Sequence, residues 1–430
     1  MLVSHGTLTC YAYERRWHLG HFTEVQTPLE RGFDTFYGYF SGFEGYFEHT
    51  AEVMICADEH DCFYDLRDNW TPVRSDTYNT YLFSSQVETL ISHYGSQEED
   101  SDPFFLYYAL SNMHEPIQVP LEVKALHAKK LAQVPNDKRR TFAAMAIILD
   151  EAVGNMTDAL QAYGLYEDTF IIVASDNGAL PLVEAAGSNW PLRGAKGSLW
   201  EGGVKVNAFV RSSLIPDNRR GMFYDGLFHV TDWLPTIVYG VLGESESNSD
   251  SLDGVNQWDA IIGRAEAPRN SLLYNIDYNG NITFGALRIG DLKILRGVQY
   301  YPVWPVPQGD ALAVNQSNYA NEQYLDYLFN VTADPTESVD LKESHPEVFR
   351  AMNRALDDHI ASMVPAAYCG ASDNKEAHAV MNLTQFVGPW MQDADFKCPT
   401  QSSPETASEE EDMHLNSIYC LYSLLPSSKC

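Results

Sequence analysis

The chain has 430 residues, 45% of them hydrophobic and 12% aromatic, which is enough apolar material to fill one large core and a smaller second one. Its 28 Lys and Arg stand against 59 Asp and Glu, and the resulting formal net charge of −31 excludes nucleic acid and anionic membrane as general partners. An anionic substrate has to be drawn in by a local knot of cations, against the field of the whole molecule.

Residues 1–13 show no clear pattern, and Glu14-Arg15-Arg16-Trp17-His18-Leu19-Gly20-His21 then packs cations, imidazoles and an aromatic into one short run. Between Gly32 and Phe47 aromatics alternate with glycines, which reads as a packed, irregular loop region. Residues 77–94 read as a helix with Tyr81, Val87, Leu90 and Ile91 available for one face. Phe104 to Leu110 is a buried strand that runs out into Ser111-Asn112-Met113-His114-Glu115-Pro116. Phe142, Met145, Leu149, Val153, Met156 and Leu160 recur at three- and four-residue spacing, marking an amphipathic helix that ends near Gly164.

A second buried strand, Thr169 to Ser175, ends abruptly in Asp176-Asn177-Gly178. That triplet is also an ordinary turn, because Asn and Gly tolerate positive φ. Strand, helix and strand in this order predict a right-handed crossover with parallel strands, so that His114 and the Asp176-Asn177 pair emerge on the same sheet edge. Asn189 to Gly203 is a glycine-punctuated loop with two cations and two tryptophans, the kind of loop that carries function.

Val204 to Val210 resembles another strand, and His229 to Ile237 begins a helix with Thr231 or Asp232 as its cap. The polar stretch Gly243 to Asp250 closes the large domain. Phe284 to Leu295 suits an antiparallel hairpin with Gly290-Asp291 at its turn, and residues 345–363 read as helical. From Cys398 the chain is an acidic, poorly ordered tail.

The seven cysteines have no zinc-site spacing; Cys56 and Cys62 are placed to close a small loop. Sequons stand at Asn69, Asn155, Asn281, Asn315, Asn330 and Asn382, and with the cysteines they tilt the reading toward an oxidising, secretory compartment. No signal peptide and no apolar run of membrane-spanning length is visible.

Taken together, Arg16 to His21, Arg31-Gly32-Phe33-Asp34, His114 to Pro120, Asp150 to Gly154, Ser175 to Gly178, Asn189 to Gly203 and Asp232 to Thr236 resemble a sulfatase, and within that family the arylsulfatase B group. A weaker match continues through Asp334 to Glu337 and Gly388 to Met391. The resemblance implies an α/β, alkaline-phosphatase-like sandwich with a central mixed, mostly parallel sheet and a smaller C-terminal antiparallel sheet domain. The domains expected on this basis are 1–15 as a non-matching segment, 16–245 as the catalytic domain, 246–397 as an α+β subdomain and 398–430 as the tail.

The chemistry implied is sulfuric ester hydrolysis, with Ca2+ binding the sulfate ester and a formylglycine hydrate attacking sulfur. By the same resemblance Asp176 and Asn177 are metal ligands, and Arg16, His114 and Lys196 bind the substrate. His114 and Lys196 help the leaving oxygen depart, and His18 is the base that collapses the sulfated hydrate. Substrates are sulfated carbohydrates such as 4-sulfated N-acetylgalactosamine units, or aryl sulfates, in a lysosomal or secreted setting. The formylglycine comes from a cysteine in Cys-x-Pro-x-Arg, and no such sequence occurs in this chain: Cys10 is followed by Tyr-Ala-Tyr and Cys398 by Pro-Thr-Gln. Arg16 also stands where the family usually has lysine, which keeps charge but not geometry.

Half a metal site and no nucleophile predict that this chain does not turn over. The amino-terminal part carrying the nucleophile is expected to lie upstream, with Cys369 bridging to it and a formylglycine-generating enzyme acting on that longer form. Taken singly, His18 and His114 also read as loop and turn histidines, and Lys196 as a surface lysine. Three functions are therefore compatible with the sequence: a sulfatase, a non-catalytic binder of sulfated glycans, and a phosphoester hydrolase of the wider superfamily.

Overall fold

The computed structural model describes residues 2–4, 10–51, 63–97, 103–134, 136–181, 186–246, 252–279, 282–299, 324–364 and 375–392. In chain order its first elements are β1 (Leu2–Ser4), β2 (Cys10–Arg16), β3 (Thr35–Tyr39), β4 (Arg67–Asp68), β5 (Thr71–Pro72), α1 (Asn79–Gly95) and β6 (Phe104–Ala109). Next come α2 (Leu121–Leu126), α3 (Ala128–Leu131), α4 (Asp137–Ala162), β7 (Thr169–Ala174), α5 (Glu201–Val204), β8 (Ala208–Arg211), α6 (Trp233–Pro235) and α7 (Trp258–Ile261). The last are β9 (Ser271–Asn279), β10 (Ile282–Ile289), β11 (Leu292–Gln299), β12 (Tyr324–Asn330), α8 (Pro346–Ala361) and α9 (Lys375–Thr384). They divide into two units, one of Met1–Thr169, Leu182–Gly187 and Ala366–Cys430, the other of Phe170–Pro181 and Ser188–Pro365. The boundary expected at 245/246 lies inside the second unit.

In the first unit the strands run β5-β4-β3-β2-β6-β1. The three long ones are parallel, with Arg16 opposite Tyr39 and Arg15 opposite Ala109, while β1 and β4 pair antiparallel at either side. Where an irregular loop was expected after Gly32, the chain forms β3. Its aromatics face both ways: Phe36 and Phe40 pack with Met381 and Val387 on one side, and Tyr39 packs with Phe83 of α1 on the other. A strand covered on both faces shows no alternation of polar and apolar residues, which is why the pattern is illegible. The patternless opening likewise supplies β2, the strand between β3 and β6.

Helix α4 starts on an Asn136 cap that accepts the Arg139 N–H. Its buried stripe is Ala144, Met145, Ile148, Ala152, Met156 and Leu160; the expected Leu149 and Val153 sit beside it, half-buried.

In the second unit β7 and β8 pair antiparallel, Ala174 opposite Ala208. The expected strand at 204–210 begins later because Glu201–Val204 first completes α5. The antiparallel sheet runs β12-β11-β10-β9, and the Gly290-Asp291 turn joins β10 to β11 with Ile289 opposite Leu292. One face packs Leu287, Ile294 and Leu328 against Met352 and Leu356 of α8. The other packs Ala286, Leu295, Tyr327 and Phe329 against Trp200. The helical start at 229 is capped by His229, whose N–H is accepted in return by Asp232, rather than by Thr231 or Asp232. Among the described residues no helix is long and apolar enough to cross a membrane.

Cys56, Cys62, Cys369, Asn281, Asn315 and the tail from Cys398 lie outside the described residues.

Candidate functional site

Parallel strands deliver their carboxyl ends to one edge, so β2, β3 and β6 place Arg16-Trp17-His18, Phe40 to Phe43 and Ser111 to His114 side by side. Trp17 anchors the first of these turns: it is buried, and its indole N–H is shared between the carbonyls of Gly20 (2.9 Å) and Gln26 (2.7 Å). That leaves His18 exposed in the left-handed region, at φ 52°, with its N–H donated to the Phe40 carbonyl at 3.1 Å. Arg16 Nη2 donates to His18 Nδ1 at 2.8 Å. Because a guanidinium only donates, this contact holds the imidazole with its acceptor nitrogen toward Arg16.

Beneath His18 lies Gly42, where a Cβ would fall 2.8 Å from His18 Nε2. The turn that carries Gly42 is fixed by the fully buried Asp65, which accepts the N–H groups of Phe40 (3.0 Å) and Ser41 (2.8 Å). One residue on, Phe43 stacks on His114 with ring centroids 5.5 Å apart. The His114 Nδ1 donates to the Glu115 carbonyl at 2.7 Å, and Tyr46 clamps the loop by donating to the carbonyls of Ser111 and His114. The first unit thus brings Arg16, His18 and His114 together through Gly42 and Phe43.

The second unit carries Asp176, Asn177 and Lys196 on two laced loops. Asn177 donates its N–H to Asp176 Oδ1 (2.8 Å), and Ser175 Oγ donates to the Asn177 carbonyl (3.0 Å). Asn189 joins the loops, accepting the Ala179 N–H at 2.6 Å and donating to the carbonyls of Ala179 and Gly194. The Lys196 N–H closes the pairing on the Ala179 carbonyl at 3.2 Å. Gly178 rests on Gly203, its N–H donated to that carbonyl at 2.9 Å.

Ca2+ takes about six to eight oxygen ligands. Asp176 and Asn177 offer one carboxylate and one amide, and among the described residues no group of three or more His, Cys, Asp or Glu gathers as a metal cluster. The described residues therefore do not make a complete calcium shell.

Of the sequon asparagines, Asn155 and Asn382 are exposed on helices. Asn69 and Asn330 are half-buried, with side-chain oxygens accepting the N–H groups of Phe36 and Ala333. Sequence reading missed Gly42, Phe43, Asp65 and Asn189 as parts of the site. Only Asn189, first residue of the glycine-punctuated loop, had a visible signal.

An α/β unit with a mostly parallel sheet and a second unit with a small antiparallel sheet define the fold class as alkaline-phosphatase-like. The Ps i-CgsB structure, solved in complex with a neocarrahexaose, has this fold: TM-score 0.65 at 24% identity, covering 81% of this chain and 71% of that one. A model of the sulfatase family matches residues 5–239, and the chain belongs to the sulfatase family. It is 33% identical over 410 residues to arylsulfatase J of Mus musculus, a match that covers 89% of this chain and 64% of the relative's length. It is also 23% identical over 368 residues to N-acetylgalactosamine-6-sulfatase of Mus musculus, covering 81% of this chain and 66% of that protein. The chain thus spans less than two thirds of arylsulfatase J.

Proposed function

We propose that the chain is a sulfuric ester hydrolase of the arylsulfatase B-like kind, acting on sulfated carbohydrate, with 4-sulfated N-acetylgalactosamine units of dermatan or chondroitin sulfate first among its substrates. The observation that carries this reading is that the matched span 5–239 holds every residue assigned to chemistry, in motif order. In the first unit Arg16 offers a planar donor fork suited to sulfate oxygens; His114, whose Nδ1–H is engaged by the Glu115 carbonyl, offers Nε2, which donates to a sulfate oxygen only in the imidazolium form. By the resemblance His18 is assigned as the base, a role for which its acceptor nitrogen Nδ1 would have to part from Arg16. In the second, Lys196 is assigned to the sulfate, and Asp176 and Asn177 as donors to Ca2+. Held there, such an ion would neutralise charge developing on the ester oxygens. A lysosomal or secreted setting belongs to the same reading.

The nucleophile is a different matter. No Cys-x-Pro-x-Arg occurs in the 430 residues, so the residues present are read as those that bind the sulfated carbohydrate rather than the nucleophile that attacks it. A second reading, motivated by the cluster of Arg16, His18, His114 and Lys196, is a sulfatase-like protein that only binds sulfated glycans.

Calorimetry with chondroitin 4-sulfate and with unsulfated chondroitin, run beside an aryl sulfate hydrolysis assay, tests both. Preference for the sulfated glycan without turnover is expected; equal or no binding of the two glycans would overturn the reading. Sequencing the complete transcript then separates hydrolase from binder, since only a hydrolase requires Cys-x-Pro-x-Arg in frame.

A further inference from the structure

The sheet face that packs on Trp200 is largely apolar, with two cations on it: Arg288 of β10, half-buried, and Lys293 opposite it on β11. Lys293 of β11 shares that face with Leu295, is fully buried, and lies 2.9 Å from both Glu201 Oε1 and Glu337 Oε1. Tyr274 completes the cluster, its hydroxyl donating to Glu201 Oε1 at 3.2 Å and its ring 4.7 Å from the ammonium. Burial lowers the Lys293 pKa, but the two carboxylates outweigh it and hold the ammonium above its ordinary range.

A buried charge cluster is poor evidence for stability, because apolar residues of similar volume fill such a place as well or better. What this cluster does specify is position. Glu337 Oε2 accepts the Glu201 N–H at 2.7 Å, and the Glu337 carbonyl accepts from Arg193, whose guanidinium stacks 3.9 Å over the Trp200 ring. The Trp200 to Gly203 turn is thereby held from three sides.

The loops of the candidate site rest on that same turn. A Cβ on Gly178 would lie 1.8 Å from the Gly202 carbonyl oxygen, and one on Gly203 would lie 2.5 Å from the Ala195 carbonyl oxygen. No side chain fits between the turn and the backbones that carry Asp176-Asn177 and Lys196. A shift of the turn therefore moves both loops.

We propose that Lys293, Glu201 and Glu337 are positioning residues: their buried cluster sets the Trp200 to Gly203 turn and, through Gly178 and Ala195, the placement of Asp176, Asn177 and Lys196. The part concerning the sulfated ligand rests on the function proposed above.

The test compares the full chain with Lys293→Met and with the charge-free triple variant Lys293→Met/Glu201→Gln/Glu337→Gln. Amide hydrogen exchange is followed at 175–181 and 189–205, with 346–361 of α8 as the internal reference, and chondroitin 4-sulfate binding is read by calorimetry. The triple variant keeps the packing and is expected to fold. Its exchange rises at least about tenfold at 175–181 and 189–205 but not in α8, and glycan affinity falls by a similar factor. Unchanged exchange in those two segments of a folded variant overturns the proposal, as does a rise spread equally over α8. Should Lys293→Met fail to fold, the triple variant and Glu337→Gln alone are read by the same criteria. If exchange responds as expected while the unaltered chain binds no chondroitin 4-sulfate, the positioning role stands and the glycan reading fails.

Discussion

Arg16 and His18, two residues apart at the end of β2, are hydrogen-bonded through Nη2 and Nδ1 at 2.8 Å. The arrangement needs a planar donor that reaches past Trp17, and it depends on the left-handed backbone at His18. Arg16→Lys keeps the charge but gives up the fork, and is expected to weaken chondroitin 4-sulfate binding by about tenfold, near 1.4 kcal/mol. Arg16→Ala weakens it further. Neither changes the urea midpoint, because the pair lies at the surface end of the strand. Equal affinity for all three proteins would remove Arg16 from the binding site.

Much of this was legible in the sequence, and the failures have a common cause. Strands β6 and β7, helix α4 and the β10–β11 hairpin all announce themselves through runs or periodicity. Strand β3 does not, since Phe36 and Tyr39 are buried on opposite faces and nothing polar alternates with them. Among the proposed site residues, His18, His114, Asp176 and Lys196 stand in motifs, whereas Asp65 fixes the turn through the backbone N–H groups of Phe40 and Ser41, more than twenty residues away. A carboxylate that serves a distant backbone leaves no local pattern. Lys293, a lone cation in Leu292-Lys293-Ile294-Leu295, is fully buried, and nothing in that run marks it as such.

Asp65 also yields a stability prediction. Asp65→Ala leaves two buried or half-buried amides without their acceptor, at about 1–3 kcal/mol for each unsatisfied group. Asp65→Asn keeps one carbonyl oxygen and is expected to fall between the alanine variant and the original in urea denaturation. The alanine variant also loosens the turn beneath His18, so its glycan affinity declines even where the fold survives. An alanine variant as stable as the original would show that Phe40 and Ser41 find other acceptors.

Two glycines of the second unit separate contact from conformation. At Gly178 a Cβ meets the backbone of Gly202 at 1.8 Å, and backbone has no rotamer by which to move aside. Gly178→Ala is expected to cost about 3 kcal/mol or more, the upper end of overpacking effects. Gly197 has φ 84° but open space around its Cβ position, so Gly197→Ala costs only the conformational penalty, about 1–2 kcal/mol. Thermal unfolding of the two variants in parallel checks the order, and the reverse order would contradict the close approach at Gly178.

Acid should destabilise the fold in two stages. Burial holds His21 and His229 below the ordinary imidazole range, assisted by Arg67 and Arg269 and opposed by Asp65 at His21 and by Asp232 and Asp253 at His229. As pH falls below about 6.5 the unfolded chain takes up protons at these positions that the folded chain refuses, so stability declines. Glu201 and Asp232 are raised by burial, yet Lys293 and Arg269 respectively outweigh it and leave both below the ordinary carboxylate range. Their stabilisation is complete above about pH 4 and is lost as pH falls through the folded values. Glu337, raised by burial, works the other way: its contribution is present at low pH and is lost as pH rises through its folded value. Urea midpoints measured against pH should show both declines, and His21→Gln/His229→Gln should flatten the first. A profile unchanged by that double variant would assign the first stage to other groups.

Salt should distinguish a built site from diffuse attraction. At a net charge of −31 the protein repels a sulfated polyanion at long range, and that repulsion reaches about 30 Å at 0.01 M salt but only about 8 Å at 0.15 M. A direct hydrogen bond to a sulfate from a proposed binding residue such as Arg16 acts over about 3 Å and is screened far less. Raising the salt over this range therefore removes more repulsion than attraction, and chondroitin 4-sulfate affinity is expected to hold steady or increase. A basic protein that binds through a diffuse cationic surface loses about a thousandfold or more over a comparable range, as polyanion binding by counterion release requires. A fall of more than about tenfold here would place binding on scattered surface lysines rather than on the residues proposed to bind sulfate.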